Sequence, residues 1–221
     1  MITVIMPRLR DNVSGAEDQQ GSPLFIHYEY DPSETTRRAP FRGKVLEAYM
    51  QGALHDASLN KGKRYRFTQS DVRWLEVLKR ILQDLGYASW IYREGKSRHV
   101  HTLETLAQFL DLSFDPSTLW SSAEKIAYIR GFFDAEGGIP KRPDAKFYIQ
   151  LVQKDRTKIM QLQAMLEGLG IATGKVHNPS VRVDPDYWRV FVRTQSHLLF
   201  AQTIGSWHPR KTAIFRERMK I

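Results

Sequence analysis

The sequence predicts an α+β protein built as two pseudo-symmetric αββαββα halves, and three observations carry the prediction. An internal duplication sets a second copy of a capped amphipathic helix 84 residues after the first, Gln153 against Gln69, with no gap. Helical and strand-like periods alternate with hairpin-length links, the pattern of α+β layers rather than of a doubly wound parallel sheet. Positive charge is concentrated on the part of the chain that repeats. With 221 residues, 42% of them hydrophobic, there is material for a real core in one large domain or two small ones.

Residues 1–40 are polar and turn-rich, with one strand candidate at Leu24–Tyr30, and read as an N-terminal extension with little core of its own. The first half follows over residues 41–111. Lys44–Ala57 is helical, with Leu46, Tyr49, Met50, Ala53 and Leu54 on one face. Lys63–Gln69 alternates as a strand and leads into the first copy, Gln69–Ala88 (QSDVRWLEVLKRILQDLGYA). Strands at Ser89–Arg93 and His99–Leu103 and a helix at Leu103–Leu110 complete the half, and residues 112–120 form the linker.

The second half, 121–221, opens with a capping box, Ser121 and Glu124. Its helix, Ser121–Gly137, stops at Gly137-Gly138 before Pro140. A strand at Lys146–Gln153 enters the second copy, Gln153–Ala172 (QKDRTKIMQLQAMLEGLGIA), followed by strands at Lys175–His177 and Trp188–Thr194 and a helix at Gln195–Gly205. Seven of the twenty aligned positions are identical, among them the N-capping Asp71 and Asp155 and the terminating Gly86 and Gly170. Matching caps at both ends mark a true repeat, since leucines at helical spacing alone would be shared by any two amphipathic helices.

Lys and Arg number 33 and Asp and Glu 24, a net charge of +9. Residues 1–40 hold four basic and six acidic side chains, which leaves +11 on residues 41–221. A cationic folded body implies a polyanionic partner such as nucleic acid. The absence of cysteine excludes disulfides, thiolate nucleophiles and Cys-ligated metal centres. No apolar run approaches the roughly 20 residues of a membrane span, and the N-terminus lacks a signal-peptide core. The expectation is a non-secreted protein, cytoplasmic or organellar, with no membrane partner.

Two carboxylates stand where helix physics disfavours them. Asp56 and Glu136 each occupy the last turn of a helix, where the negative end of the dipole destabilises an anion by about 0.3–1 kcal/mol. If the repeat brings the two helix ends together, the carboxylates also repel. A divalent cation would offset both penalties, and Mg²⁺ suits the pair because it takes one or two carboxylates and fills its shell with water and phosphate.

Tyr128-Ile-Arg-Gly-Phe-Phe-Asp-Ala-Glu-Gly137 resembles the LAGLIDADG motif of homing endonucleases. Tyr49-Met-Gln-Gly-Ala-Leu-His-Asp-Ala-Ser58 resembles the variant ending in Gly-Asp-Ala. The likeness spans about residues 41–215, including the Gly-Ser-Trp-His-Pro-Arg-Lys stretch at 205–211. Two registers relate the motifs. Aligned on Gly52 and Gly131, the first acid position falls on Ala57, which would leave one strand-cutting centre defective. Aligned on the acids, Asp56 matches Glu136 and the Asp-Ala-small ending is kept, so this register is preferred.

The resemblance implies motif helices packed along a pseudo-dyad, metal-binding Asp56 and Glu136 at their ends, and a curved antiparallel DNA-binding sheet in each half. It implies one phosphodiester hydrolysed per strand with Mg²⁺, for which Mn²⁺ or Ca²⁺ could substitute in binding. Lys154 matches the family's active-site lysine and has Ser70 as its repeat counterpart; Gln69 and Gln153 join it as candidate catalytic residues.

Strand alternation agrees. Arg64, Arg66 and Thr68 share one face of KRYRFTQ, Lys146, Tyr148 and Gln150 one face of KFYIQLVQ, and Arg189 and Arg193 one face of WRVFVRT, with no acid in any of the three. Such a ribbon fits a major groove, where Arg reads guanine and Gln adenine. Lys211, with Arg210, Arg216, Arg218 and Lys220, reads as a basic C-terminal stretch of phosphate clamps or simply as a solvated helix, and Lys211 is taken as DNA-contacting. The expected partner is double-stranded DNA with a long, near-palindromic or asymmetric target, bound by a monomer. The alternatives are an RNA maturase assisting intron splicing and a catalytically inactive DNA-binding relative.

Overall fold

The computed structural model describes residues 40–95 and 99–220, so the strand expected at Leu24–Tyr30 lies outside the described residues. Helix α1 (Pro40–Ala53) tightens into a 3₁₀ turn (Leu54–Asp56) and passes directly into β1 (Ala57–Asn60). Then come β2 (Arg64–Gln69), α2 (Val72–Asp84), β3 (Ser89–Arg93) and β4 (His101–Thr105). The second half runs α3 (Ser122–Glu136), β5 (Gln150–Gln153), α4 (Arg156–Gly168), β6 (Trp188–Phe191), α5 (His197–Thr203) and α6 (Pro209–Met219).

Helices α1 and α3 form the centre. Every residue of α3 from Ala127 to Asp134 is buried, as befits a helix with no polar face. The two helices cross at Gly52 and Gly131. A Cβ on Gly52 would lie 2.0 Å from the Tyr128 carbonyl oxygen, and one on Gly131 would lie 2.0 Å from that of Tyr49. The contacts are reciprocal, which makes the two glycines local equivalents.

Around this pair each half sets a sheet and a repeated helix. The first sheet is antiparallel in the order β1-β2-β4-β3. In the second, β5 pairs with β6, and the bridges Gly138–Gln150 and His177–Arg189 stand where the outer strands of the first sheet would be. The repeated helices end identically. Asp71 and Asp155 accept backbone N–H groups at the N-termini of α2 and α4. At the other ends Gly86 (φ 85°) and Gly170 (φ 77°) take the left-handed conformation that lets Tyr87 N–H reach Leu82 O at 2.8 Å and Ile171 N–H reach Leu166 O at 2.9 Å.

Several boundaries differ from expectation. The helix expected at Leu103–Leu110 does not form. Leu103 is instead fully buried in the middle of β4, paired with Phe67 on one side and Ile91 on the other. The Thr105 hydroxyl then closes the strand by donating to Ala88 O at 2.9 Å and accepting from Ala107 N at 3.2 Å. Ala57, expected as helix, starts β1. Lys175–His177 contributes only the bridge at His177, and the expected strand from Lys146 is regular only over Gln150–Gln153. In each case pairing with a distant segment overrides the local period.

Candidate active site

The two acids reach the same end of the central helix pair by different local routes. Ala53 and Phe132 are equivalent at the crossing, since each presents its backbone N to the other helix's glycine. Asp56 lies three residues past Ala53, and Glu136 four residues past Phe132. A 3₁₀ turn rises about 2.0 Å per residue and an α-helix about 1.5 Å, so both paths advance about 6 Å and finish within about 40° of the same azimuth. On ideal geometry the glycine register at the crossing is therefore compatible with the acid register at the helix ends.

Asp56 and Glu136 are half-buried. Burial pushes the Asp56 carboxyl up to about 6, against the pull of a hydrogen bond from Gln69 Nε2 and of Lys211. Glu136 is raised by burial and by the Asp56 carboxylate, and Lys211 again opposes. Among the described residues no group of three or more His, Asp or Glu gathers at metal-binding spacing, and the carboxylates that influence each other at this helix end are Asp56 and Glu136. That donor set fits Mg²⁺, which keeps several waters, better than a cation needing a full protein cage.

Lys211 is not at the protein surface. It is 2% exposed, and its ammonium donates to the carbonyls of Phe133, Asp134 (3.1 Å) and Gly137 (2.7 Å), closing the C-terminus of α3. The expectation of a phosphate-contacting Lys211 is thus corrected: its charge is spent on the negative end of a helix dipole directly beneath the acids. Burial lowers its pKa to about 8, with Asp134, Glu136 and Asp56 holding it up.

The surrounding stretch clasps both halves. Asp134 is buried and accepts from Tyr49 Oη and Trp207 N, both at 2.8 Å, and from Ser206 Oγ. Trp207 packs on Tyr49 at 4.4 Å, and His208 stacks on Trp74 at 5.5 Å. Lys211→Met is expected to lower the melting temperature by orphaning these carbonyls, at about 1–3 kcal/mol. It should leave the salt dependence of duplex binding unchanged, whereas exposed Lys146→Met should flatten that slope by about 0.9. Melts and fluorescence titrations across salt check both; a flattened slope for Lys211→Met would return it to the DNA-contacting set.

The outer sheet faces hold the remaining candidates. Arg64, Thr68, Lys146, Tyr148, Lys154 and Arg193 are exposed, and Arg66, Gln150 and Arg189 are half-buried on the same faces. In the second half Lys146, Tyr148, Gln150, Arg189 and Arg193 line one open groove. The first face is not free of acids, as its strand alone suggested. Glu104, 3% exposed on β4, lies 3.3 Å from Arg64 and 3.2 Å from Arg66, and Glu94 lies 3.2 Å from Arg66. These carboxylates pre-orient the guanidinium groups and neutralise part of their charge. Trp90 and Tyr92 extend the same face, and Arg64 lies 5.4 Å from the Trp90 ring.

Lys154 follows β5 beside Gln153, and its N–H donates to Gln153 Oε1 at 2.7 Å. The structure brings Gln69 to Asp56, while Gln153 turns to His55 at 2.9 Å rather than to Glu136. His55, beside Asp56, is assigned no role by the sequence, and the clasp around Asp134 is not visible in it. The only signal available was the Ser-Trp-His-Pro-Arg-Lys stretch, whose partners lie about 75 residues upstream. Among the described residues no helix is long and apolar enough to cross a membrane.

Residues 123–205 match the family model of a LAGLIDADG-like domain. No curated protein matches the chain. Among solved structures, I-DmoI in complex with DNA and Ca is similar at a TM-score of 0.60 and 17% identity, over 79% of this chain and 98% of that one. Structures of I-DmoI, a homing endonuclease, with DNA and Mn or in the presence of Mg align at TM-scores of 0.55 and 0.56, over 74% of this chain and 97% of those. Their identities are 17% and 18%. The N-terminal LAGLIDADG domain of DUF199/WhiA aligns at a TM-score of 0.58 and 12% identity, over 82% of this chain and 93% of that one. The fold is the LAGLIDADG α+β fold.

Proposed function

From a chain that carries a LAGLIDADG-like domain in the fold of the homing endonuclease I-DmoI, we propose a site-specific endonuclease that cuts both strands of duplex DNA with a divalent cation. The convergence of Asp56 and Glu136 at one end of the central helix pair supports this most directly. Two half-buried carboxylates, both costly to ionise by burial and one of them further raised by the other, are an unfavourable arrangement for a merely structural pair, and a cation would relieve it.

In this reading Asp56 and Glu136 hold the cation, Mg²⁺ in the cell, with Mn²⁺ or Ca²⁺ able to bind in its place. Bound there, it would polarise the phosphate and lower the pKa of a coordinated water. Gln69 holds the Asp56 carboxylate in orientation. Lys154, exposed beside Gln153, offers a cation to the phosphate as charge develops, and Ser70 offers none on the other side, so the two centres are chemically unequal. Arg64, Arg66, Thr68, Lys146, Tyr148, Gln150, Arg189 and Arg193 present the two sheet faces to the major groove. A single chain supplies both halves, so it acts as a monomer.

A cleavage selection on a randomised duplex library, in Mg²⁺ and in EDTA, tests this. Recovery of one preferred site cut once on each strand, only with the metal, is the expected result. Absence of cleavage, or tighter binding to structured intron RNA than to any duplex, would overturn it in favour of a maturase.

A further inference from the structure

His55 precedes Asp56, half-buried, with its ring against Phe132 at a centroid distance of 4.7 Å. Both ring nitrogens are engaged by groups from the second half. Gln153 Nε2 lies 2.9 Å from Nδ1, and Tyr128 Oη lies 2.9 Å from Nε2. The directions of these bonds follow from one another. Lys154 N–H donates to Gln153 Oε1 at 2.7 Å, which fixes the amide with its NH₂ toward His55. An amide NH₂ only donates, so Nδ1 accepts. The neutral ring then carries its proton on Nε2 and donates it to Tyr128 Oη.

The Tyr128 leg of this link is mirrored by Tyr49 and Asp134 in the glycine register, but the Gln153 leg has no counterpart across the repeat. In the first half the equivalent glutamine, Gln69, donates to Asp56 itself. The residue before Glu136 is Ala135, which has no group to offer. The chain of bonds therefore runs one way, from the Lys154 corner of the second half to the turn that carries Asp56 in the first.

We propose that His55 is a positioning residue that ties the Asp56 turn to the Gln153–Lys154 corner of the opposite half, making the geometry of one strand-cutting centre depend on the other. The consequence for strand cutting rests on the endonuclease reading above, whereas the tautomer and the coupling to Gln153 do not.

Two measurements on the full chain test it. Long-range ¹H–¹⁵N correlation should show His55 as the Nε2–H tautomer, with Gln153→Leu releasing it to a mixture. On a duplex labelled on both strands, His55→Phe should change the ratio of the two strand-cutting rates by about threefold or more while duplex affinity stays within about twofold. His55→Gln, whose amide offers both an acceptor and a donor, should return part of that ratio. An Nδ1–H tautomer, or an unchanged ratio in His55→Phe, would overturn the proposal. A wild-type chain that cuts no duplex but shows the Nε2–H tautomer, shifted by Gln153→Leu, would sink the endonuclease reading and leave the link between halves standing.

Discussion

Asp56→Asn and Glu136→Gln are each expected to abolish double-strand cleavage while duplex binding survives. Replacing a group that only orients a metal ligand typically costs about 10–100-fold in affinity or activity, so loss of a ligand itself should cost more. Binding should hold or tighten, because in the proposed complex each substitution would remove a negative charge near phosphate. The same residues give a stability signature with a definite sign. Burial raises the folded pKa of Asp56 from 3.8 to about 6, and Glu136 is shifted in the same direction. The folded state therefore holds protons that the unfolded state has lost. Stability from these groups is present at low pH and is lost as pH rises through about 4 to 6.

Asp56→Asn should accordingly stabilise the metal-free protein, by an amount that grows across that window to the order of 2 kcal/mol after allowance for partial exposure. Comparison with wild type at each pH is essential, because His55 and His208, both lowered to about 4, push the other way. Conversely, the rise in melting temperature on adding Ca²⁺ to wild type should fade as pH falls through about 6, where protons compete for the carboxylates. Strand-resolved cleavage and melts from pH 4 to 8 read all of this. An Asp56→Asn chain that cuts both strands at the normal rate would remove Asp56 from the site.

Gly52→Ala and Gly131→Ala are expected to be the most destabilising single changes in the chain. The added methyl at either position meets backbone: a carbonyl oxygen at 2.0 Å, and a backbone nitrogen at 2.7 Å for Gly52 and 2.8 Å for Gly131. No side chain can rotate away, so α1 and α3 must separate along their length, disturbing the Tyr49–Asp134 bond and the buried rings around it. The cost should exceed the roughly 1–3 kcal/mol of ordinary overpacking. In a chain of this size that means a fall in melting temperature of about 10 °C, or failure to fold. Gly43→Ala in the same α1 is the control. Among the described residues a Cβ there meets nothing within 4 Å, so that variant should be neutral or stabilised by about 0.5–1 kcal/mol. Equal melts for Gly43→Ala and Gly131→Ala would show that the crossing tolerates separation.

What the sequence determined by itself is local. The caps at Asp71 and Asp155, the left-handed stops at Gly86 and Gly170, and the capping box at Ser121 and Glu124 all form within a few residues, and each is where the residue types place it. The duplication exposed the two acids for the same reason: a repeated local pattern makes equivalent positions visible without any knowledge of packing.

What only the tertiary structure decided is where distant segments meet. Whether Asp56 or Ala57 stands opposite Glu136 depends on a 3₁₀ turn whose shape no periodicity announces. Leu103 sits in a central strand because Phe67 and Ile91 flank it, although its own neighbours suit a helix. The arginines of β2 face acids from β4 and from the loop that precedes it, which strand composition could not reveal. Lys211, one cation among many in a basic tail, is buried because the end of α3 supplies three carbonyls and two nearby carboxylates that no surface position would. Side-chain type fixes which charges and donors exist, but their energies in place depend on desolvation and on partners brought from elsewhere in the chain.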